Sequence, residues 1–247
     1  MAGTVEVAVV QVVEQAKQVV VLALREERNR PVFVWLDLRR PMLFATRGAY
    51  KGVRAAEIAA LIAWSAVANG DRLGGLVFTE TEHHELRPAL GMRAALRLFQ
   101  KISADSLWDL GRRSSAPETD ADHALLRLTR VARPGSLIFL ISDFRRLGAD
   151  AERHLRELSG HCDLVLVHVF DKIEAELPPP GRYRVVSAGR TLSIETSNDA
   201  LRRKYRERFA ARADALRSLA SRPGVHLLEC ATHADARALL AQKFRQR

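Results

Sequence analysis

Cysteine is nearly absent: Cys162 and Cys230 are the only two in 247 residues. Two cysteines do not make a disulfide framework, and each flanks an expected strand, where a thiol packs as a small hydrophobe rather than as a redox group. Long apolar runs are lacking as well. Valines crowd positions 5 to 21, but Glu6, Glu14, Gln15, Lys17 and Gln18 break the run well short of the roughly twenty residues that a membrane span needs. The N-terminus also has neither the basic start nor the small-residue cleavage site of a signal peptide, so a cytoplasmic location is expected. The fourteen glycines and nine prolines are ordinary usage, and no repeat or low-complexity stretch suggests a linker.

Catalytic signatures are missing too. There is no G-x-S-x-G elbow for Ser114 or Ser115 to occupy, no H-E-x-x-H and no phosphate-cradling G-x-x-x-x-G-K. Gly70 to Gly75 punctuates a strand rather than opening a nucleotide loop, because no G-x-G-x-x-G leads into a helix. These absences exclude several enzyme classes by motif, and the expectation is a chain without catalysis of its own, without a small-molecule substrate and without a cofactor.

What is present is charge, with 39 Lys and Arg against 29 Asp and Glu for a formal +10 and a pI near 10.4. From Asp199 onward twelve basic residues face five acidic ones, so this end holds +7 of the excess. Its first part should be an amphipathic helix. Leu201, Tyr205, Phe209, Ala213 and Leu216 form the apolar stripe, and Arg202, Arg203, Lys204, Arg206 and Arg208 the basic face. A solvated surface accounts for such a face; a nucleic-acid or acidic-surface binder is the alternative, although no nucleic-acid motif accompanies it.

At 47% hydrophobic content the chain can bury one sizeable core. Residues 1–25 are expected to pack on a domain spanning 26–247, with a helix over Val5 to Lys17 and a strand over Val19 to Leu24 pairing beside Pro31 to Leu38. Helices are expected over Lys51 to Asn69, stopped by an Asn69-Gly70 left-handed cap, and over Gly91 to Ser103, Asp120 to Ala132, Gly148 to Gly160 and His233 to Phe244. Strands are expected at Leu73 to Thr79, Glu85 to Pro88, Ser136 to Ile141, Asp163 to Phe170 and Val225 to Glu229. A β-hairpin at Arg182 to Ser187 and Thr191 to Glu195 precedes the basic helix, which Ser197 and Asn198 cap. Alternating strands and helices make a mostly parallel α/β sheet covered on both faces, with an antiparallel edge at Glu85.

The stretch PVFVWLDLRRPMLFAT, Pro31 to Thr46, ends a buried strand in Asp37, and the strand at Leu137 to Ile141 ends in Ser142-Asp143-Phe144. Open parallel sheets place ligands just beyond the strands' C-terminal ends, so two aspartates are offered to one crevice. This arrangement, with EERNRPVFVWLDLRRPM, Lys51 before AAEIAALIAW, NGDRLGGLVF, FLISDF and ETSNDALRRKYRERF, resembles the von Willebrand factor A fold. More narrowly, it resembles a bacterial family of A-like proteins, domain of unknown function family fifty-eight, associated with MoxR-type AAA+ ATPases. The resemblance covers most of the chain from about Glu26 and implies a protein-interaction module with a MoxR-type ATPase as partner.

The A fold's metal site, called MIDAS, has a D-x-S-x-S pattern, a loop threonine and a later aspartate. Carried over, Asp37 and Asp143 match, Thr119 supplies the threonine, and Arg39 and Pro41 stand where two serines belong. Neither can give magnesium an oxygen, and Arg39 brings a permanent positive charge, so the site is expected to be degenerate, with magnesium bound only if it still functions. Arg39 is expected to pair with Asp37 or Asp143, with Arg40 beside it, and its fork could take a partner's carboxylate. Glu80, Glu82, His83, His84 and Glu85 read as a polar hairpin turn in preference to a metal cluster, and Asp171-Lys172 as a cap or ion pair.

Overall fold

The computed structural model describes residues 30–245 apart from 105–107, 109–120, 149 and 188–189. Strand β1, Pro31–Asp37, is buried on both faces: Val32, Val34 and Leu36 point into one apolar layer, Phe33 and Trp35 into the other. Helix α1, Lys51–Asn69, follows, alanine-rich and closed by Gly70 at φ 75, where a left-handed backbone costs glycine nothing. Next come β2, Arg72–Phe78; β3, His83–Ala89; α2, Met92–Ile102; α3, Asp122–Val131; and β4, Leu137–Ser142. The chain continues through α4, Ala151–Ser159; β5, Asp163–Phe170; a short α5, Lys172–Ala175; and the hairpin β6, Arg182–Ser187, with β7, Arg190–Glu195. It closes with α6, Asp199–Ala220; β8, Val225–Ala231; and α7, Ala236–Arg245.

Six strands form one sheet in the order β3-β2-β1-β4-β5-β8, parallel except for β3, which runs antiparallel to β2 at the edge. Helices α1, α2 and α7 bury their apolar residues against one face, α3, α4 and α6 against the other. The mostly parallel α/β expectation is met. Strand order reverses between β1 and β4, and this is where a doubly covered sheet opens a crevice at its C-terminal edge. Asp37 closes β1 and Asp143 follows β4, so both stand in that crevice.

Most element boundaries fall within a residue or two of expectation, and α1 and β5 coincide with it. The strand expected over residues 19 to 24 does not fit beside β1, because β2 and β4 take both of its edges. Residues 1–25 themselves lie outside the described residues, as does the Ala188-Gly189 turn. On α6, Phe209 meets His168 and Phe170 of β5, Ala213 and Leu216 are buried and Tyr205 is half-buried, as the stripe requires, but Leu201 is 46% exposed. Asn198 alone of the expected pair caps α6 with its side chain, accepting from the Leu201 N–H at 3.0 Å.

Candidate functional site: an ionic crevice at the strand ends

Beyond β1 the chain turns on its own aspartate. Asp37 Oδ1 accepts the Arg39 backbone N–H at 2.9 Å, and Pro41, with no N–H to lose, opens a one-turn helix at Arg40–Met42. The Arg39 guanidinium then folds back on Asp37 in a two-pronged pair, Nε to Oδ1 at 3.0 Å and Nη2 to Oδ2 at 2.7 Å. Ser142 Oγ donates to Asp37 Oδ2 at 2.7 Å. Arg39 is only 2% exposed, and its remaining donors reach the carbonyls of Arg145 at 3.0 Å and Arg146 at 3.3 Å. Burial works against its charge, but Asp37 outweighs that and holds the guanidinium's pKa above its ordinary value.

Those carbonyls belong to an unusual turn. Phe144 and Arg146 both adopt positive φ, 50° and 51°, a region that residues with a Cβ rarely enter. The Phe144 N–H donates to Ser142 Oγ at 2.9 Å and the Arg145 N–H to Asp143 Oδ1 at 2.9 Å, so hydrogen bonds from both sides hold the turn.

Asp143 is engaged by a different cation. Lys51, the first residue of α1 and fully buried, donates from Nζ to Asp143 Oδ2 at 2.7 Å and to Glu174 Oε1 at 2.8 Å. Burial pushes the Asp143 carboxyl up, yet Lys51 and the Arg145 N–H leave it below the usual carboxylate range. Arg145 Nη1 adds a third cation contact, to Glu174 Oε1 at 3.0 Å. Glu174 also returns to the Asp171 N–H at 3.0 Å, and Asp171 accepts from Ile173 in a reciprocal capping box. Thr46 and Thr232 complete Asp171's coordination with hydroxyl bonds of 2.5 and 2.8 Å. Burial alone would raise the Asp171 carboxyl, but the Thr46 bonds lower it.

The structure thus brings Asp37, Arg39, Arg40, Pro41 and Asp143 together at the crevice. Thr119, Ser114 and Ser115 lie outside the described residues. Arg39 pairs with Asp37, and the cation hydrogen-bonded to Asp143 is Lys51, which sequence reasoning passed over. Its signal was a lysine at the first position of an alanine-rich helix, where no acidic residue of the first turn accompanies it. Glu174 was also missed, one turn past a strand-end aspartate where a capping acid is common. Glu80 is not the solvated turn residue expected: its side chain is buried and accepts the Arg40 N–H at 2.5 Å.

Of the basic face on α6, Arg203, Lys204, Arg206 and Arg208 are exposed. Arg202 is not part of it. Half-buried, it donates to the carbonyls of Leu177 at 3.3 Å, Thr196 at 3.4 Å and Pro178, tying the hairpin's base to the helix. Cys162 and Cys230 are buried with their thiols pushed up by desolvation, Cys230 to about 11. Among the described residues no three His, Cys, Asp or Glu are placed to hold a metal ion, and no helix is long and apolar enough to cross a membrane.

Residues 11–215 match the family model described as "Protein of unknown function DUF58". The chain belongs to the DUF58 family. Among solved structures, the DUF58 chain resembles the conserved hypothetical protein BatB from Bacteroides thetaiotaomicron, with a TM-score of 0.50 and 14% identity over 89% of this chain and 100% of that one. A second match is an aerotolerance-related membrane protein from Bacteroides fragilis NCTC 9343 carrying multiple mutations to serine, at TM-score 0.49 and 14% identity with the same coverage. No curated protein matches. The DUF58 chain's fold is the von Willebrand A-like sheet with one antiparallel edge.

Proposed function

We propose that this DUF58 chain is a protein-interaction module without catalysis of its own, in which an internal arginine replaces the metal ion of an A-type site. The Asp37–Arg39 pair carries the reading. Magnesium requires near-octahedral oxygen coordination, whereas both Asp37 oxygens already accept from the guanidinium, and one also from Ser142. The residues present do not fit a divalent cation, and no step depends on one. Lys51 supplies the second cation, so Asp37, Asp143 and Glu174 face Arg39, Lys51 and Arg145 in like number.

Recognition then falls to the crevice and its rim, formed by Asp37, Arg39, Arg40, Pro41, Asp143 and, by resemblance, Thr119. Arg39 is too enclosed to offer its fork outward; at the rim Arg146 is exposed and Arg40, ion-paired with Glu80 at 3.7 Å, is partly so, and these are the charges proposed to meet a partner. By resemblance the partner is a MoxR-type AAA+ ATPase, with the pair acting in the assembly or maturation of another protein complex in the cytoplasm. Co-expression with such an ATPase and affinity capture tests this. Stoichiometric retention that Arg40→Glu with Arg146→Glu abolishes is expected; no retention, or retention indifferent to both changes, refutes it.

A further inference from the structure

Strand β3 ends the sheet, so β2 takes one of its sides and, among the described residues, no strand takes the other. Which of its backbone groups face outward follows from β2. Arg72 donates its N–H to the Arg30 carbonyl at 3.2 Å, and the Phe78 carbonyl accepts from the Leu38 N–H at 2.9 Å, so even positions of β2 turn to β1 and odd ones to β3. Thr79, just past the strand, keeps the alternation by donating to the Glu82 carbonyl at 2.8 Å. The register then sets Val77 against His84, Gly75 against Leu86 and Leu73 against Ala89. His83, Glu85 and Arg87 are left with N–H and C=O directed away from the sheet.

Pro88 does not interrupt this row. The register shifts between Leu73 and Gly75, where Arg87 and Pro88 together oppose Gly74, and the proline is the extra residue of a bulge. The side chains of His83, Glu85 and Arg87 are exposed, while His84, Leu86 and Pro88 are half-buried. Charge on an edge strand commonly repels a second strand. Here the sign changes between Glu85 and Arg87, two positions apart on one face, and such a row complements itself when reversed. The opposite edge has no such row: β8 exposes Glu229 alone, and Arg217 meets it at 3.3 Å.

We propose that β3 pairs with β3 of a second copy of this chain, antiparallel about a two-fold axis at Leu86. Glu85 of each copy then faces Arg87 of the other, and each facing pair exchanges its outward N–H and C=O groups. Opposite charges directly across an antiparallel ladder attract, whereas an axis at Glu85 would set the two Glu85 carboxylates against each other. Charge thus selects the register. The surface uses neither Arg40 nor Arg146, and it holds or fails independently of the partner proposed above.

The test is sedimentation equilibrium of the full chain at concentrations up to about 0.5 mM, suited to the small area that two short strands bury. A reversible monomer–dimer equilibrium is expected. Glu85→Arg alone and Arg87→Glu alone should each weaken it by about tenfold or more, because like charges then face each other at both symmetry-related pairs. The double variant Glu85→Arg with Arg87→Glu should recover affinity to within about threefold of the wild type. Arg203→Glu, on α6, should leave it unchanged. Circular dichroism checks each fold, and if one variant fails that check a remaining single reversal decides. A monomer at every concentration, a dimer indifferent to the single reversals, or a folded double variant that stays monomeric overturns the pairing.

Discussion

Lys51 and Asp143 meet at 2.7 Å across 92 residues of sequence, with the lysine fully buried. The pair does for Asp143 what Arg39 does for Asp37: each strand-end carboxylate has a cation of its own. Removing either cation therefore strands a charge in the crevice.

Lys51→Met should destabilise the fold by about 3–5 kcal/mol at neutral pH, the usual result of breaking one side of a buried pair. Asp143 in the wild type has a folded pKa below its unfolded value, so its stabilisation is present above the unfolded value and disappears as pH falls through the folded one. The variant lacks that contribution. Its deficit should narrow below about pH 4, as urea melts across pH would show.

Arg39→Ala should be destabilised to a similar degree, about 3–5 kcal/mol, because Asp37 is left buried and the turn at 144–146 loses its clamp. Thermal melts of the wild type with and without millimolar magnesium should coincide. An upward magnesium shift in the wild type would show that the cation has an oxygen site after all.

His168 should make the protein acid-sensitive. Burial holds its pKa at about 4, with Arg212 adding to the depression, against 6.5 for a free histidine. The neutral ring is therefore favoured by folding. Its contribution is complete above about pH 6.5 and is lost as pH falls toward 4, an effect on the order of 3 kcal/mol. His168→Phe should flatten the stability profile in that window; an unchanged slope would assign the acid sensitivity to other groups.

The exposed Arg203, Lys204, Arg206 and Arg208 should give weak nucleic-acid binding by charge alone, lost steeply as salt rises. Phe209 packs on His168 and Phe170, and Tyr205 is half-buried, so neither stands on the basic face as a ring for a base to stack upon. Fluorescence titrations with unrelated sequences should agree; selective binding that persists at about 0.2 M salt would favour the nucleic-acid reading.

Arg202→Ala should cost on the order of 1–3 kcal/mol without affecting nucleic-acid affinity, because its guanidinium serves three backbone carbonyls instead of the outer surface. Melting and binding measured on the same variant separate the two roles.

The sheet was legible because its inner strands β1, β2, β4 and β5 are buried on both faces, and a continuous apolar run such as Val32 to Leu36 allows few other readings. Asp37 and Asp143 were legible for the same reason, as the first charges after such runs. Lys51 was not. It reads as a solvated helix start until the chain is folded, and only the return of β4 and α5 supplies its two carboxylates. Arg202 misled in the opposite way: helical spacing puts it with the basic face, but the hairpin's base lies over it. The pairing expected for residues 19 to 24 failed because β-propensity does not reveal that β1 has no edge to spare.

The contacts that build the crevice join residues far apart in sequence: Lys51 with Glu174 across 123 positions, Arg39 with the Arg145 carbonyl across 106, Thr46 with Asp171 across 125. Closing loops of that length is entropically expensive, and none of these bonds offsets the cost until the strands carrying them are already aligned. The charge cluster should therefore be a late product of folding. Substitutions there should speed unfolding while scarcely slowing refolding, leaving φ-values near zero, and an intact crevice then reports that the sheet beneath it is complete.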